Sequence, residues 1–167
     1  VDVYDTPHEN LCGDCTLCLR GCPTKAFAEP GVVDARRCIS YQTIEHRACA
    51  PVALRPKLRG HVFGCDVCQD VCPFNQQDIA VGDVKFAART IGLMAPHEIA
   101  ALCEEDFRKL TAGTAIARAQ YHGLRRNAVL AMGAAERTAS RALLERLAAD
   151  ENETVSEAAR WVLGAMP

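Results

Sequence analysis

Aromatic residues are scarce, with one Trp, three Tyr and five Phe among 167 residues. So few rings argue for backbone and shape contacts to any RNA more than for base-stacking platforms. No sign of charge prevails, since 19 Lys and Arg stand against 21 Asp and Glu. That balance excludes a generally basic nucleic-acid coat and a polybasic membrane binder. No apolar run approaches the roughly 18 residues of a membrane span, so no membrane partner is expected. The opening Val1-Asp2-Val3-Tyr4-Asp5 has neither the basic nor the apolar region of a secretion signal, and cytoplasmic localisation is expected. It also lacks an initiator Met, so the chain is expected to be the tail of a longer protein. The five histidines show no metal-ligand spacing, and no glycine-rich phosphate loop is present.

What is abundant is cysteine, and its placement divides the chain. Residues 1–77 hold nine of the ten cysteines and six of the eight prolines. Residues 78–167 hold one cysteine, 21 alanines and nine leucines, many at helical spacing. The expected organisation is a cluster-bearing domain over 1–77, a connector over 78–98 and a helical domain over 99–167.

Cys12-Gly-Asp-Cys15-Thr-Leu-Cys18-Leu-Arg-Gly-Cys22-Pro23 is a C-x2-C-x2-C-x3-C-P run. This is the ligand spacing of bacterial two-cluster ferredoxins, in which the fourth thiolate serves the other cluster. At an offset of 50, Cys65, Cys68, Cys72 and Pro73 repeat Cys15, Cys18, Cys22 and Pro23, while Val62 stands where a partner of Cys12 would be. Two four-thiolate sites follow. Cys12, Cys15, Cys18 and Cys72 make one; Cys22, Cys65 and Cys68 make the other with either Cys38 or Cys49, and spacing does not choose between these. A disulfide framework suits a secreted protein, which this start does not suggest. A zinc ribbon needs neither the third cysteine at x2 nor the paired x3-C-P endings. Two [4Fe–4S] clusters, both fully ligated by cysteine, point to electron transfer.

In the second half, Leu124–Gly133 aligns with Val155–Gly164 at an offset of 31, each expected to end at a Gly in the left-handed C′ position. A short amphipathic helix is expected over Arg141–Leu147, before the polar turn Asp150-Glu151-Asn152. Helix, turn and helix resemble a HEAT-type repeat. The expected class is α+β: a bacterial two-[4Fe–4S] ferredoxin-like module followed by an all-α HEAT-like repeat domain.

Val33-Asp34-Ala35-Arg36-Arg37-Cys38-Ile39-Ser40-Tyr41-x-Thr43-Ile44-Glu45, Leu54-Arg55-Pro56, Phe63–Asn75, Gly113-Thr114-Ala115-Ile116-x-Arg118 and Leu124-Arg125-Arg126-Asn127-Ala128 stand in one order along the chain. Together they resemble the epoxyqueuosine reductase family, cobalamin-dependent iron–sulfur enzymes of tRNA wobble-base modification. The resemblance implies that Cys38 completes the second cluster, which leaves Cys49 spare; Cys103, by its place on an apolar helical stripe, is spare as well, and both are expected to be buried packing thiols. It implies a cobalamin held mostly by an N-terminal domain of the family, with Val1–Tyr4 as that domain's last strand. That domain also carries the proton donor, so no catalytic residue is assigned here and the chain alone is expected to be inactive. Ser40 and Asp66, beside cluster cysteines, are the residues expected to touch cobalamin. Electrons are expected to pass from an external donor such as a ferredoxin or flavodoxin through both clusters. The tRNA is expected to meet His46, Arg47, Arg118, Arg125 and Arg126, with Asp150, Glu151, Glu153 and Glu157 facing away. A monomer is expected. Two other readings compete: a generic ferredoxin-type carrier, and the tail of another cobalamin enzyme such as a reductive dehalogenase. The Asp34–Tyr41 stretch and the HEAT-like end favour the tRNA enzyme over both.

Overall fold

The computed structural model describes residues 5–7, 9–58, 60–76 and 89–166. The two Cys-Pro steps shape its first half. A residue before proline is pushed into extended backbone, which stops a helix there. Helix α1 (Leu17–Gly21) accordingly ends at Cys22, with φ −62° and ψ 117°. The chain then forms an antiparallel hairpin of β1 (Phe27–Glu29) and β2 (Val32–Val33), Phe27 opposite Val33. Gly31 makes the turn with φ +80°, a conformation that side-chain-bearing residues resist. Asp34 caps the next 3-10 turn, Ala35–Arg37, accepting from the Arg36 backbone N–H and from its guanidinium. This delivers Cys38 to the start of α2 (Ile39–Ile44). A largely irregular excursion leads to α3 (Val67–Asp70), after which Cys72 (φ −77°, ψ 124°) lies extended before Pro73.

Helices α1 and α3 pack on each other. A Cβ built on Gly21 meets Val71 Cγ2 at 3.3 Å. These two positions correspond under the offset of 50. Gly21→Val is expected to force α1 away from α3 and cost about 1–3 kcal/mol in denaturant unfolding. Adding Val71→Ala should recover much of that loss. Full additivity of the two changes in a double-mutant cycle would refute the contact.

The second half is helical: α4 (Thr90–Leu93), α5 (Pro96–Ala101), α6 (Glu104–Thr111), α7 (Tyr121–Ala131), α8 (Ala134–Ala139), α9 (Arg141–Leu147) and α10 (Glu153–Gly164). Pro96 opens α5, and Glu98 turns back to accept the Ala95 N–H at 2.7 Å. Asn152 caps α10 by accepting from Thr154 and Val155. Helix α7 lies between α5 and α10, and α10 also packs on α9. Ala128, Ala158 and Ala159, all fully buried, allow that close approach. Leu124, Val129, Leu144, Val155 and Val162 fill the core, and Ile39, Cys49, Ala50 and Leu58 of the first half belong to the same buried cluster. The site-bearing segments are thereby held against α7.

The fold is mostly helical with one small sheet, and α9 stands where a short helix was expected. Other expectations change. Of the connector, residues 78–88 lie outside the described residues, as do Val1–Tyr4, while α4 and the start of α5 occupy its remainder. Gly133 and Gly164 do not take left-handed backbone. Gly133 is the extended N-cap of α8, and Gly164 is still within α10. Among the described residues, no helix is long and apolar enough to cross a membrane.

Candidate metal centre

All ten cysteines carry free thiols, which removes the disulfide framework. Eight of them sort into two cavities. Cys12, Cys15, Cys18 and Cys72 line one, together with Leu17, Pro73 and Phe74. Cys22, Cys38, Cys65 and Cys68 line the other, with Thr24, Phe27, Val33 and Ile39 among its walls. Cys68 also borders the first. The exchange follows the local structure: Cys18 in α1 and Cys68 in α3 line the same cavity as the cysteines just ahead of their helices, while the last cysteine of each run, in the extended Cys-Pro step, lines the other.

The donor set suits iron–sulfur clusters. Both cavities are ringed by soft thiols, and the rest of each wall is largely apolar, with no carboxylate. Among the described residues, no three His, Cys, Asp or Glu side chains converge closely enough to hold a single metal ion. Four thiols to a cavity is the number a cubane takes, one to each iron. Electrostatics point the same way. Burial pushes the Cys65 and Cys68 thiols up, and the nearby sulfurs of Cys22 and Cys38 push the same way, so the four groups of this cavity lie close enough to feel one another. At Cys22, burial also raises the thiol, yet hydrogen bonds outweigh it and bring the group below its ordinary value. These come from the Thr24 hydroxyl at 3.5 Å and backbone N–H groups including Ala26 at 3.3 Å. Arg37 holds Thr24 in place through its carbonyl at 2.9 Å. Such donors to sulfur are a lever on cluster potential.

Cys49 lines neither cavity. It is 8% exposed, in the core, and burial raises its thiol. Cys103 is a correction: it is exposed at the N-cap of α6, where its sulfur accepts the Asp106 N–H, so it does not pack inside. Ser40 is half-buried and Asp66 exposed, its carboxylate accepting from Gln69. Neither lines a thiol cavity.

The cations divide sharply. Arg118 is exposed and pairs with Glu45. Arg47, also exposed, reaches the Arg118 carbonyl at 3.0 Å, and half-buried His46 stacks on Tyr41. Burial, then the Arg126 charge, lowers the His46 pKa. Arg125 and Arg126 correct the expectation of a tRNA-facing pair, because α7 is enclosed on both sides. Arg125 is held by Asp150 at 2.7 Å and the Ala100 carbonyl at 3.1 Å. Arg126 is 1% exposed, and its donors are taken up inside the protein. Asp150 and Glu157 do not simply face solvent either, since Glu157 pairs with buried Arg55. Asn127 and Thr43 stand within the motifs quoted above, but neither was assigned a role from the sequence. The one available signal was a polar Arg-Arg-Asn triplet inside an apolar helix.

Residues 11–75 match the family described as 4Fe-4S double cluster binding domain. The chain is 45% identical over 134 residues to epoxyqueuosine reductase of Gloeobacter violaceus, covering 77% of this chain and 42% of that one. In fold it is similar to the Bacillus subtilis epoxyqueuosine reductase structure, with TM-score 0.82 and 30% identity over 96% of this chain and 43% of that one. The chain is similar to epoxyqueuosine reductases over most of its own length. A further structure of epoxyqueuosine reductase, solved with an epoxyqueuosine-modified tRNA stem loop, matches with TM-score 0.73 and 29% identity, covering 96% of this chain and 43% of that one. The chain thus spans less than half the length of the epoxyqueuosine reductases it matches.

Proposed function

We propose that this chain is the electron-transfer and tRNA-binding portion of an epoxyqueuosine reductase, which reduces epoxyqueuosine to queuosine at the tRNA wobble position. The observation that carries the reading is the sorting of eight cysteines into two thiol cavities with exchanged ligands, in a chain similar to that family over nearly its whole length. Cys12, Cys15, Cys18 and Cys72 hold one [4Fe–4S] cluster, and Cys22, Cys38, Cys65 and Cys68 the other. When bound, the clusters supply one-electron relay between an external donor of the ferredoxin or flavodoxin kind and a cobalamin held mostly outside this chain. The chain's own residues set that relay's surroundings. Thr24 and the Ala26 N–H donate to Cys22, and Cys68 stands between the two cavities. Ser40 and Asp66 are the edge offered to cobalamin. Residues 1–77 act as the ferredoxin-like unit and 99–167 as the HEAT-like unit, in a cytoplasmic monomer.

Arg47, Arg118 and His46 are the tRNA-facing groups, gathered around Glu45 at the surface. Arg125 and Arg126 have no part in that contact.

Reconstituted anaerobically, the protein is expected to hold about eight irons per chain. Joined to the family's remaining length, it is expected to convert epoxyqueuosine in tRNA. In that full enzyme, Arg118→Glu should weaken stem-loop binding and flatten its salt dependence. Zinc in place of iron, or far fewer irons, defeats the cluster reading. Unchanged low-salt affinity defeats the surface assigned to tRNA.

A further inference from the structure

A cubane held by cysteines from separate segments needs those segments fixed to one another. Cys68 lies in α3 and Cys65 just ahead of its Asp66 N-cap, at the end of an irregular loop, whereas Cys38 stands alone at the start of α2. The link between them runs through the far end of α2. An α-helix leaves its last four carbonyls without partners inside the helix. In α2 the Tyr41 carbonyl takes backbone N–H groups of Glu45 and His46, and the Ile44 carbonyl takes Arg47. The middle two are taken from α7: Gln42 by Arg126 at 3.0 Å and Thr43 by Asn127 at 2.7 Å.

Asn127 does more than cap. Its second N–H reaches the Val62 carbonyl at 2.9 Å, in the loop that leads to Cys65. Its oxygen accepts two bonds from Arg126, at 2.8 and 3.1 Å. A guanidinium only donates and carbonyls only accept, so the amide can sit one way round. A third strut runs alongside. The Thr43 hydroxyl donates to the Ile39 carbonyl at 2.9 Å and accepts the Gly64 N–H at 3.0 Å, immediately before Cys65. Asn127 is 2% exposed and Thr43 1%, so water does not compete for these bonds.

We propose that Asn127, with Thr43, is a positioning residue for the centre lined by Cys22, Cys38, Cys65 and Cys68, locking the helix that carries Cys38 to the loop that carries Cys65. The inference rests on the cluster reading above. It places control of one cluster's surroundings in α7 of the helical half, outside the cysteine runs. Among the described residues, no hydrogen bond ties the other centre's ligand segments to α7, and that centre serves as an internal control.

The test is a redox titration of the reconstituted protein followed by electron paramagnetic resonance, with the couple that Cys38→Ser removes taken as the one under study. Asn127→Asp keeps the shape and the Arg126 contact but turns both donors into acceptors facing carbonyls. Thr43→Val removes the hydroxyl, and Thr43→Ser restores it. Asn127→Asp and Thr43→Val are expected to change that couple's reduced-to-oxidised ratio at fixed potential by about tenfold, about 59 mV for one electron. The second couple should stay in place, and Thr43→Ser should return the first toward the wild type. Should Asn127→Asp not fold, the Thr43 pair decides. Unmoved couples with a lowered melting temperature would reduce these residues to structural support and overturn the proposal; so would both couples moving together. Wild-type protein without two couples removes the cluster reading itself, which is a different failure.

Discussion

Cys38→Ser is expected to cost the protein about four of its irons while Cys49→Ser leaves the full complement, each read as iron per chain after anaerobic reconstitution. Sequence arithmetic alone left the eighth ligand open between these two. The environments separate them. Cys38 lines the cavity shared by Cys22, Cys65 and Cys68, and its neighbours feel its charge. Cys49 lies in the apolar core, where a thiolate would be buried without iron and burial already raises its thiol. Serine at position 38 keeps the size and the backbone but offers a hard oxygen where a soft sulfur is wanted. The cluster assigned to the cavity of Cys12, Cys15, Cys18 and Cys72 should survive, because those segments meet through α1 and α3 rather than through α2. Loss of iron from the Cys49 variant alone would reverse the assignment.

Much of this centre was legible in the residues because short-range chemistry writes itself into spacing. Cys-x2-Cys and Cys-Pro are local devices, and the backbone angles of Cys22 and Cys72 follow from the next residue alone. The offset of 50 likewise foretold two related halves, and Gly21 against Val71 is where they touch. The arginines were misread because their partners are not residue types. Arg126 bonds to carbonyls, which every residue has, so nothing in the one-letter code distinguishes it from a solvated helix cation. Its helix looked amphipathic when read as a surface helix, yet α5 and α10 enclose it. Cys103 was assigned by its place in an apolar stripe, but α6 begins just after it and turns it into an exposed cap. The glycines of the 31-residue repeat failed similarly. A C′ glycine is one answer to a helix end, and the chain instead ran straight into α8 after Met132.

Arg126→Met is expected to be the most destabilising single change in the helical half, about 3–5 kcal/mol in denaturant unfolding. The guanidinium has no carboxylate partner among its hydrogen bonds. It donates to the carbonyls of Gln42, His46 and Ala48 and to the Asn127 side chain. Burial lowers its pKa, but an arginine keeps its proton at neutral pH, so the fold bears a desolvated charge. Removing a buried ion for a well-packed apolar chain can be harmless when both partners go. Here the partners are backbone and stay behind. Each buried acceptor left unpaired costs about 1–3 kcal/mol, and water entering at the His46 and Ala48 end offsets part of the sum. Against a total stability of about 5–15 kcal/mol, that is a large share. Arg126→Lys separates this role from a surface one. Lysine keeps the charge but cannot span the fork of carbonyls, so it should recover only part of the stability. A residue whose task was to meet tRNA would behave the other way, tolerating lysine in the fold and changing the salt dependence of stem-loop binding. Full stability in the lysine variant together with weakened tRNA binding would return Arg126 to the surface role that its burial denies.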